Sequence, residues 1–203
     1  LKKSVIIPPL FIVPRHVLGG KGFTAPSDKL NIAGVGVREW GRGSNNLHQS
    51  RNENIVALCD VDFNQSKPTF DKYPKAKVYK DYRVMLDKQK DIDAIIVSTP
   101  DHNHAVITMK AIKMGKHVYC EKPLTHTVYE AREITKAAKT YNVQTQMGNQ
   151  GRSSDEIRKL KEWIDDDAIG PVRELLAWTD RPIGGHAWDT FAVKAKSKEK
   201  PPI

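Results

Sequence analysis

The chain has little cysteine, few aromatic residues and no long apolar run, and each shortage removes a class of protein. Two cysteines occur in 203 residues, Cys59 and Cys120. Each closes a short apolar run of the kind that forms a buried strand. In the usual doubly wound order two other strands separate them, roughly 14 Å at about 4.8 Å per strand. A disulfide needs Cα atoms within about 7 Å, so both are expected as free, buried thiols that carry no information on compartment. No stretch reaches the roughly 20 unbroken apolar residues of a membrane span, so none is expected. Aromatics are 7% of the chain and form no cluster with its basic residues, so the formal net charge of +9 does not mark a nucleic-acid surface. Charges of both signs interleave, as in Asp155-Glu156-Ile157-Arg158-Lys159, and much of the excess sits at residues 1–3 and 194–200. Such a surface still favours a phosphorylated cofactor or an acidic substrate. No repeat of solenoid period is present.

What is present is ordinary for a globular protein, with 39% hydrophobic and 28% charged residues. The first 28 residues do not look like core. A charged start, Leu1-Lys2-Lys3-Ser4, precedes a short apolar stretch broken by Pro8, Pro9 and Pro14, which resembles an export signal and argues against a packed helix. Leu-Lys-Lys-Ser resembles the tail of a twin-arginine signal, without the arginine pair. A periplasmic or otherwise exported location is expected on this basis; the alternative is a cytoplasmic protein with a flexible N-terminal arm. Gly19-Gly20-Lys21-Gly22 and Ala25-Pro26-Ser27 read as a linker.

From Lys29 short apolar runs alternate with helical patterns. Strands are expected over residues 30–35, 54–61, 77–79, 92–98, 117–120 and 143–147. Helices are expected from the glycine turn to about Arg51, over 63–73 with an interruption at Pro68, over 82–86, and on the face Ala105, Met109, Ile112. Two more are expected: one from the capping box Thr127-x-x-Glu130 to about Tyr141, the other from Ser153-x-x-Glu156 with Ile157, Leu160 and Ile164 on one face. A further half-buried strand is expected over 172–179. Alternating strands and helices imply crossover units and an α/β, doubly wound parallel sheet. Residues 29–150 form the nucleotide-binding domain in this reading, and 151–203 the start of a second, α+β domain.

The cofactor signals come next. Gly34-Val35-Gly36 leaves the first strand, where the first glycine makes the tight turn and the second lets amides there, Val37 included, approach a pyrophosphate. The third glycine of G-x-G-x-x-G belongs at position 39, where this chain has Glu39. Gly41 or Gly43 is left to supply the small contact, and Glu39 has to point away from a phosphate. Asp60 ends the second strand, 24 residues after Gly36, where the fingerprint asks for an acid on the ribose hydroxyls. A carboxylate there accepts from a diol and repels a 2′-phosphate, which favours NAD over NADP. Asp62 is a rival, and a plain strand-end cap is the alternative role for Asp60.

Three further motifs fall at ends of strands, on the edge that forms the ligand crevice of an open parallel sheet. Ser98-Thr99-Pro100 precedes Asp101-His102-Asn103-His104, suited to a ribose and a nicotinamide. His102 and His104 are also candidate metal ligands, but no Cys/His/carboxylate cluster with ligand spacing accompanies them, so no metal is expected. Glu121-Lys122-Pro123 places a lysine whose partial burial would lower its pKa and let it donate a proton to a substrate oxygen; the alternative is an ion pair with Glu121 that fixes the turn. Gly148-Asn149-Gln150-Gly151 offers amides to orient a carboxamide or a sugar hydroxyl.

In this order Gly-x-Gly, Cys-Asp-Val-Asp, Ser-Thr-Pro-Asp-x-x-His, Glu-Lys-Pro-Leu and Gly-Asn-Gln resemble the Gfo/Idh/MocA oxidoreductase family over about residues 29–180, with Glu-Lys-Pro the most specific element. Residues 13–20 also resemble its exported bacterial members. The resemblance implies a Rossmann domain, NAD(P), and hydride transfer at a hydroxyl-bearing carbon of a sugar or cyclitol. It places Lys122 on the reacting hydroxyl and His104 beside the nicotinamide. It also implies a large antiparallel second domain that carries an acid/base histidine and commonly pairs subunits into a homo-oligomer. Most of that domain is not represented, and His186 lacks the Asp-x-x-x-His context for the role. The expected function is therefore an NAD-dependent dehydrogenase or its cofactor-binding half. An NAD-dependent glycosidase acting by transient oxidation and a non-catalytic NAD-binding module are the alternatives.

Overall fold

The computed structural model describes residues 19–20, 24–39 and 41–176. The export-like segment, Lys21 and Gly22 of the linker, residues 177–179 and His186 lie outside them. The chain divides into two compact units, Leu1–Gly148 and Asn149–Ile203.

In the first unit six strands form one sheet in the order β3-β2-β1-β4-β5-β6, and every pairing is parallel. The strands are β1 (Asn31–Val35), β2 (Asn54–Cys59), β3 (Lys77–Tyr79), β4 (Ala94–Val97), β5 (His117–Glu121) and β6 (Thr145–Gly148). The connecting helices are α1 (Arg42–Gln49), α2 (Phe63–Lys72), α3 (Tyr82–Lys88), α4 (His104–Lys113) and α5 (Val128–Thr140). This is the doubly wound α/β sheet read from the alternation. β2 and β5 are separated by β1 and β4, and Cys59 and Cys120 are free and buried. Burial pushes the Cys59 thiol up to about 12, which leaves it an inert core residue.

Alternation along β1 sends Ala33 and Val35 to one cluster and Ile32 to another. The first packs under α3, α4 and α5 through Met85, Ile107, Ile112 and Ile134; the second packs under α1 and α2 through Leu47 and Phe70. A sheet covered on both faces explains the near-continuous apolar run of β4. Each fully buried Leu or Ile contributes about 1.5–3 kcal/mol.

Local chemistry sets the helix starts. Thr127 and Glu130 close the capping box of α5, with Glu130 N–H donating to Thr127 Oγ1 at 3.2 Å and Thr127 N–H to Glu130 Oε2 at 2.9 Å. Asp62 caps α2 by accepting from Gln65 N–H. Pro68 does not interrupt that helix, contrary to expectation, and α2 runs through it to Lys72. Two strands start later than their apolar runs: β4 begins at Ala94, with Ile92 packed in the core ahead of it, and β6 begins at Thr145.

The second unit opens with a 3-10 turn, Gln150–Ser153, followed by α6 (Asp155–Asp165). Its N-cap is Ser154, whose hydroxyl accepts from Ile157 N–H, rather than Ser153. Ile157, Leu160 and Ile164 lie exposed along it. Residues 172–176 form no strand, so the expected strand over 172–179 is corrected for its described part. Strand pairing there needs a neighbouring strand, and no described residue of this unit forms one. Among the described residues no helix is long and apolar enough to cross a membrane.

Candidate functional site

The strand registers converge on one rung. Val35 aligns with Cys59 and Val97, Cys59 with Tyr79, Val97 with Cys120, and Cys120 with Met147. The next residue on each strand path is Gly36, Asp60, Lys80, Ser98, Glu121 and Gly148. Backbone bonds pin this row, with Gly36 N–H donating to Cys59 O at 2.9 Å and Ser98 N–H to Val35 O at 2.8 Å. Motifs far apart in sequence thus share one edge.

Gly36 sits at φ +79°, and a Cβ there would lie 2.7 Å from the backbone of Ser98 and Thr99. Only glycine permits both that conformation and that approach. Gly43 is the third small residue: a Cβ on it would meet Gly36 O at 1.9 Å. The fingerprint is therefore intact but stretched, with its third glycine four positions later than position 39. Glu39, in the stretch, turns away from the glycine loop. Its carboxylate accepts from Lys72 Nζ at 2.7 Å and Thr69 Oγ1 at 3.0 Å. The bond from Lys72 holds its pKa below the ordinary carboxylate value, against the opposing effect of burial.

Asp60 braces the same loop. Its Oδ2 accepts from Val37 N–H at 2.8 Å and its Oδ1 from Asp62 N–H at 3.0 Å. Val37 itself is fully buried against Leu47. So Val37 has a core side chain and an amide bonded to Asp60. Asp60 is a strand-end cap, and each of its oxygens retains a lone pair for a further donor. Asp62 is occupied as the cap of α2.

On the β4–β5 side the pins are side chains. Asn46 of α1 donates from Nδ2 to Glu121 Oε1 at 2.8 Å and to Ser98 Oγ at 3.3 Å. Glu121 is 4% exposed, so a charge-assisted bond to it is worth more than one at the surface. His104 is 1% exposed, with Nδ1 2.7 Å from Pro123 O and Nε2 2.7 Å from Thr99 O. Burial pulls the imidazole pKa down, but the Cys120 contact and the two carbonyls outweigh it and hold the ring up at about 9. Both ring nitrogens are committed to backbone, which leaves none for a metal. Among the described residues no group of three or more His, Cys, Asp or Glu could hold a metal ion.

Lys122 follows Glu121 and precedes a cis bond to Pro123. It is exposed, so the partial burial expected of it is corrected, and it forms no ion pair with Glu121. Asn149 and Gln150 follow Gly148 directly and open the second unit. Sequence reasoning missed Asn46; it lies three residues after Gly43, on the helix face that glycine presses against the loop, and that spacing was the available signal.

The rung borders a cleft of about 580 Å³ lined by Gly36, Arg38, Arg42, Asp60, Thr99 and Pro100, among others. Thr99 Oγ1 is buried there without a hydrogen-bond partner. A glycine cradle, a fixed carboxylate with acceptor capacity, two guanidinium groups and an orphaned hydroxyl are the groups a dinucleotide's phosphates and ribose diols require. The residues fit NAD(P).

Comparison with known proteins agrees. Residues 30–149 match the family model Gfo/Idh/MocA, described as an oxidoreductase family with an NAD-binding Rossmann fold. The chain is 30% identical over 148 residues to inositol 2-dehydrogenase of Salmonella paratyphi B, a match covering 70% of this chain and 43% of that protein. It is 29% identical over 173 residues to D-glucoside 3-dehydrogenase of Escherichia coli, covering 83% and 48%. The crystal structure of myo-inositol 2-dehydrogenase from Lactobacillus plantarum superposes with a TM-score of 0.62 at 25% identity, covering 83% of this chain and 50% of that one. The chain spans about half the length of these relatives.

Proposed function

The chain belongs to the Gfo/Idh/MocA oxidoreductase family, and from that premise we propose that it binds NAD along the strand-end rung and serves hydride transfer to or from a sugar- or cyclitol-like alcohol. The observation that carries this is the single row that sets Gly36, Asp60, Ser98 and Glu121 side by side on adjacent strands. Relatives named as inositol and glucoside dehydrogenases support the substrate class.

NAD(P), when bound, supplies the hydride acceptor or donor. The chain's own residues bind and orient. Arg38 and Arg42 present positive charge beside the Gly36 loop, and Thr99 Oγ1 offers a hydroxyl. The spare lone pairs of Asp60 suit an unmodified ribose diol and oppose a 2′-phosphate, so NAD is the preferred form. Lys122, exposed at the end of β5, is the group free to meet a substrate oxygen and hold or release its proton.

Titrating NAD and NADP separately against the chain, followed by a turnover assay on a panel of polyols and glycosides, tests the reading. NAD is expected to bind at least about tenfold more tightly than NADP, one such step being 1.4 kcal/mol. Lys122→Ala is expected to lower turnover roughly 100- to 10,000-fold with NAD affinity kept. A chain that binds neither dinucleotide ends the proposal, and turnover unchanged in Lys122→Ala removes the lysine from it.

A further inference from the structure

We propose that His104 is a positioning residue held as an imidazolium, which clamps the turn after β4 to the turn after β5 and so sets Thr99 and Lys122 relative to one another. The inference rests on the reading of this cleft as the dinucleotide site, and it gives His104 a role other than direct contact with the cofactor.

The geometry leaves one protonation state. A neutral imidazole has one N–H and one lone pair, whereas an imidazolium has two N–H groups. Both His104 nitrogens lie 2.7 Å from carbonyl oxygens, Thr99 O and Pro123 O, and a carbonyl can only accept. A neutral ring would aim a lone pair at one of these oxygens inside a site 1% exposed to water, an arrangement with no solvent to relieve it. Two protons convert both contacts to charge-assisted bonds, the stronger kind.

The titratable groups around the ring are few. The Cys120 thiol of β5 reaches it. Glu121 and Lys122 lie beyond Cys120, and Asp101 and His102 lie on the turn before α4. No carboxylate bonds to the ring; its partners are the two carbonyls and the Cys120 sulfur. One carbonyl belongs to Thr99, which lines the cleft and whose hydroxyl is buried without a partner. The other belongs to Pro123, the residue after Lys122. A rigid ring between them removes independent motion of the two turns.

The test uses the full chain labelled with nitrogen-15 at histidine. Ring-nitrogen shifts are expected to show His104 doubly protonated at pH 7.5 and losing its proton near pH 9. Binding supplies the second readout. His104→Gln has one donating end, its NH2, and one carbonyl end that can only accept, so it cannot donate toward both turns, and it is expected to weaken NADH binding about tenfold, the effect of one charged hydrogen bond. ADP binding should stay unchanged, because the β1–β2 turns hold that half. In the wild type, NADH affinity should fall between pH 8 and pH 10 while ADP affinity does not. This comparison stands even where the variant fails to fold. A neutral His104 at pH 7.5 overturns the proposal, as does equal NADH affinity in wild type and His104→Gln. Wild-type chain that binds neither NADH nor ADP overturns the dinucleotide reading instead, and the nitrogen shifts still decide the charge of the ring.

Discussion

The two halves of the cleft are built from different materials. On the β1–β2 side the turns are held from within one strand-helix-strand unit: Gly43 lies against the Gly36 carbonyl, and the Val37 and Asp62 amides donate to the Asp60 carboxylate. On the β4–β5 side they are held by side chains that arrive from helices, Asn46 from α1 and His104 from α4. Pins within one unit act over short distances set by local spacing. The pins on the β4–β5 side join turns farther apart in sequence, and one of them, His104, titrates. The second half therefore carries a pin, His104, whose charge changes as pH rises through about 9.

The largest expected effect breaks the β1–β2 half. Gly43→Ala puts a methyl group 1.9 Å from Gly36 O, a contact only a backbone shift can relieve. A loss of more than about 3 kcal/mol is expected. An unchanged urea midpoint would show that the glycine loop does not pack on α1 in this way.

The next effect belongs to the side-chain half. His104 is raised from the usual 6.5 to about 9, so its stabilisation is complete below pH 6.5 and is lost as pH rises through about 9. The full difference is on the order of 3 kcal/mol. Melting curves from pH 6 to pH 10 should show wild type falling steeply across that window and His104→Gln falling less. Parallel curves would move the pH dependence elsewhere.

A smaller effect is expected at Asn46. Asn46→Ala removes a donor from the buried Glu121 carboxylate at a cost of about 2 kcal/mol, and NAD affinity should drop with it. If stability falls while affinity does not, Asn46 supports the fold and not the site. Smaller still is Asp60→Asn, which keeps one amide bond and costs about 1 kcal/mol. Its sharper readout is the ratio of NADP to NAD affinity, expected to rise once the negative charge is gone. A constant ratio would remove Asp60 from cofactor choice.

Much of this is legible in the sequence. Strand positions followed from apolar runs, the Thr127 capping box from its spacing, and the free cysteines from the order of strands. Asp60 could be singled out because its distance from Gly36 is a local consequence of one strand-helix-strand unit. Other features were not legible. The displacement of the third glycine to Gly43 depended on where the chain turns after Gly36, and nothing in the one-dimensional pattern separated Gly41 from Gly43. The exposure of Lys122 ran against its neighbours, since the buried residue of that pair is Glu121.

Periodicity and spacing were enough to specify a parallel sheet with its motifs on one edge, because hydrophobic alternation and turn chemistry act over a few residues. Which groups touch across that edge was settled only on folding. The bonds from Asn46 to Glu121, from Lys72 to Glu39 and from His104 to two separate turns join residues whose proximity depends on how helices pack on the sheet. The charge of His104 shows the distinction best. Its residue type permits either protonation state, and the two carbonyls that choose between them meet only in three dimensions.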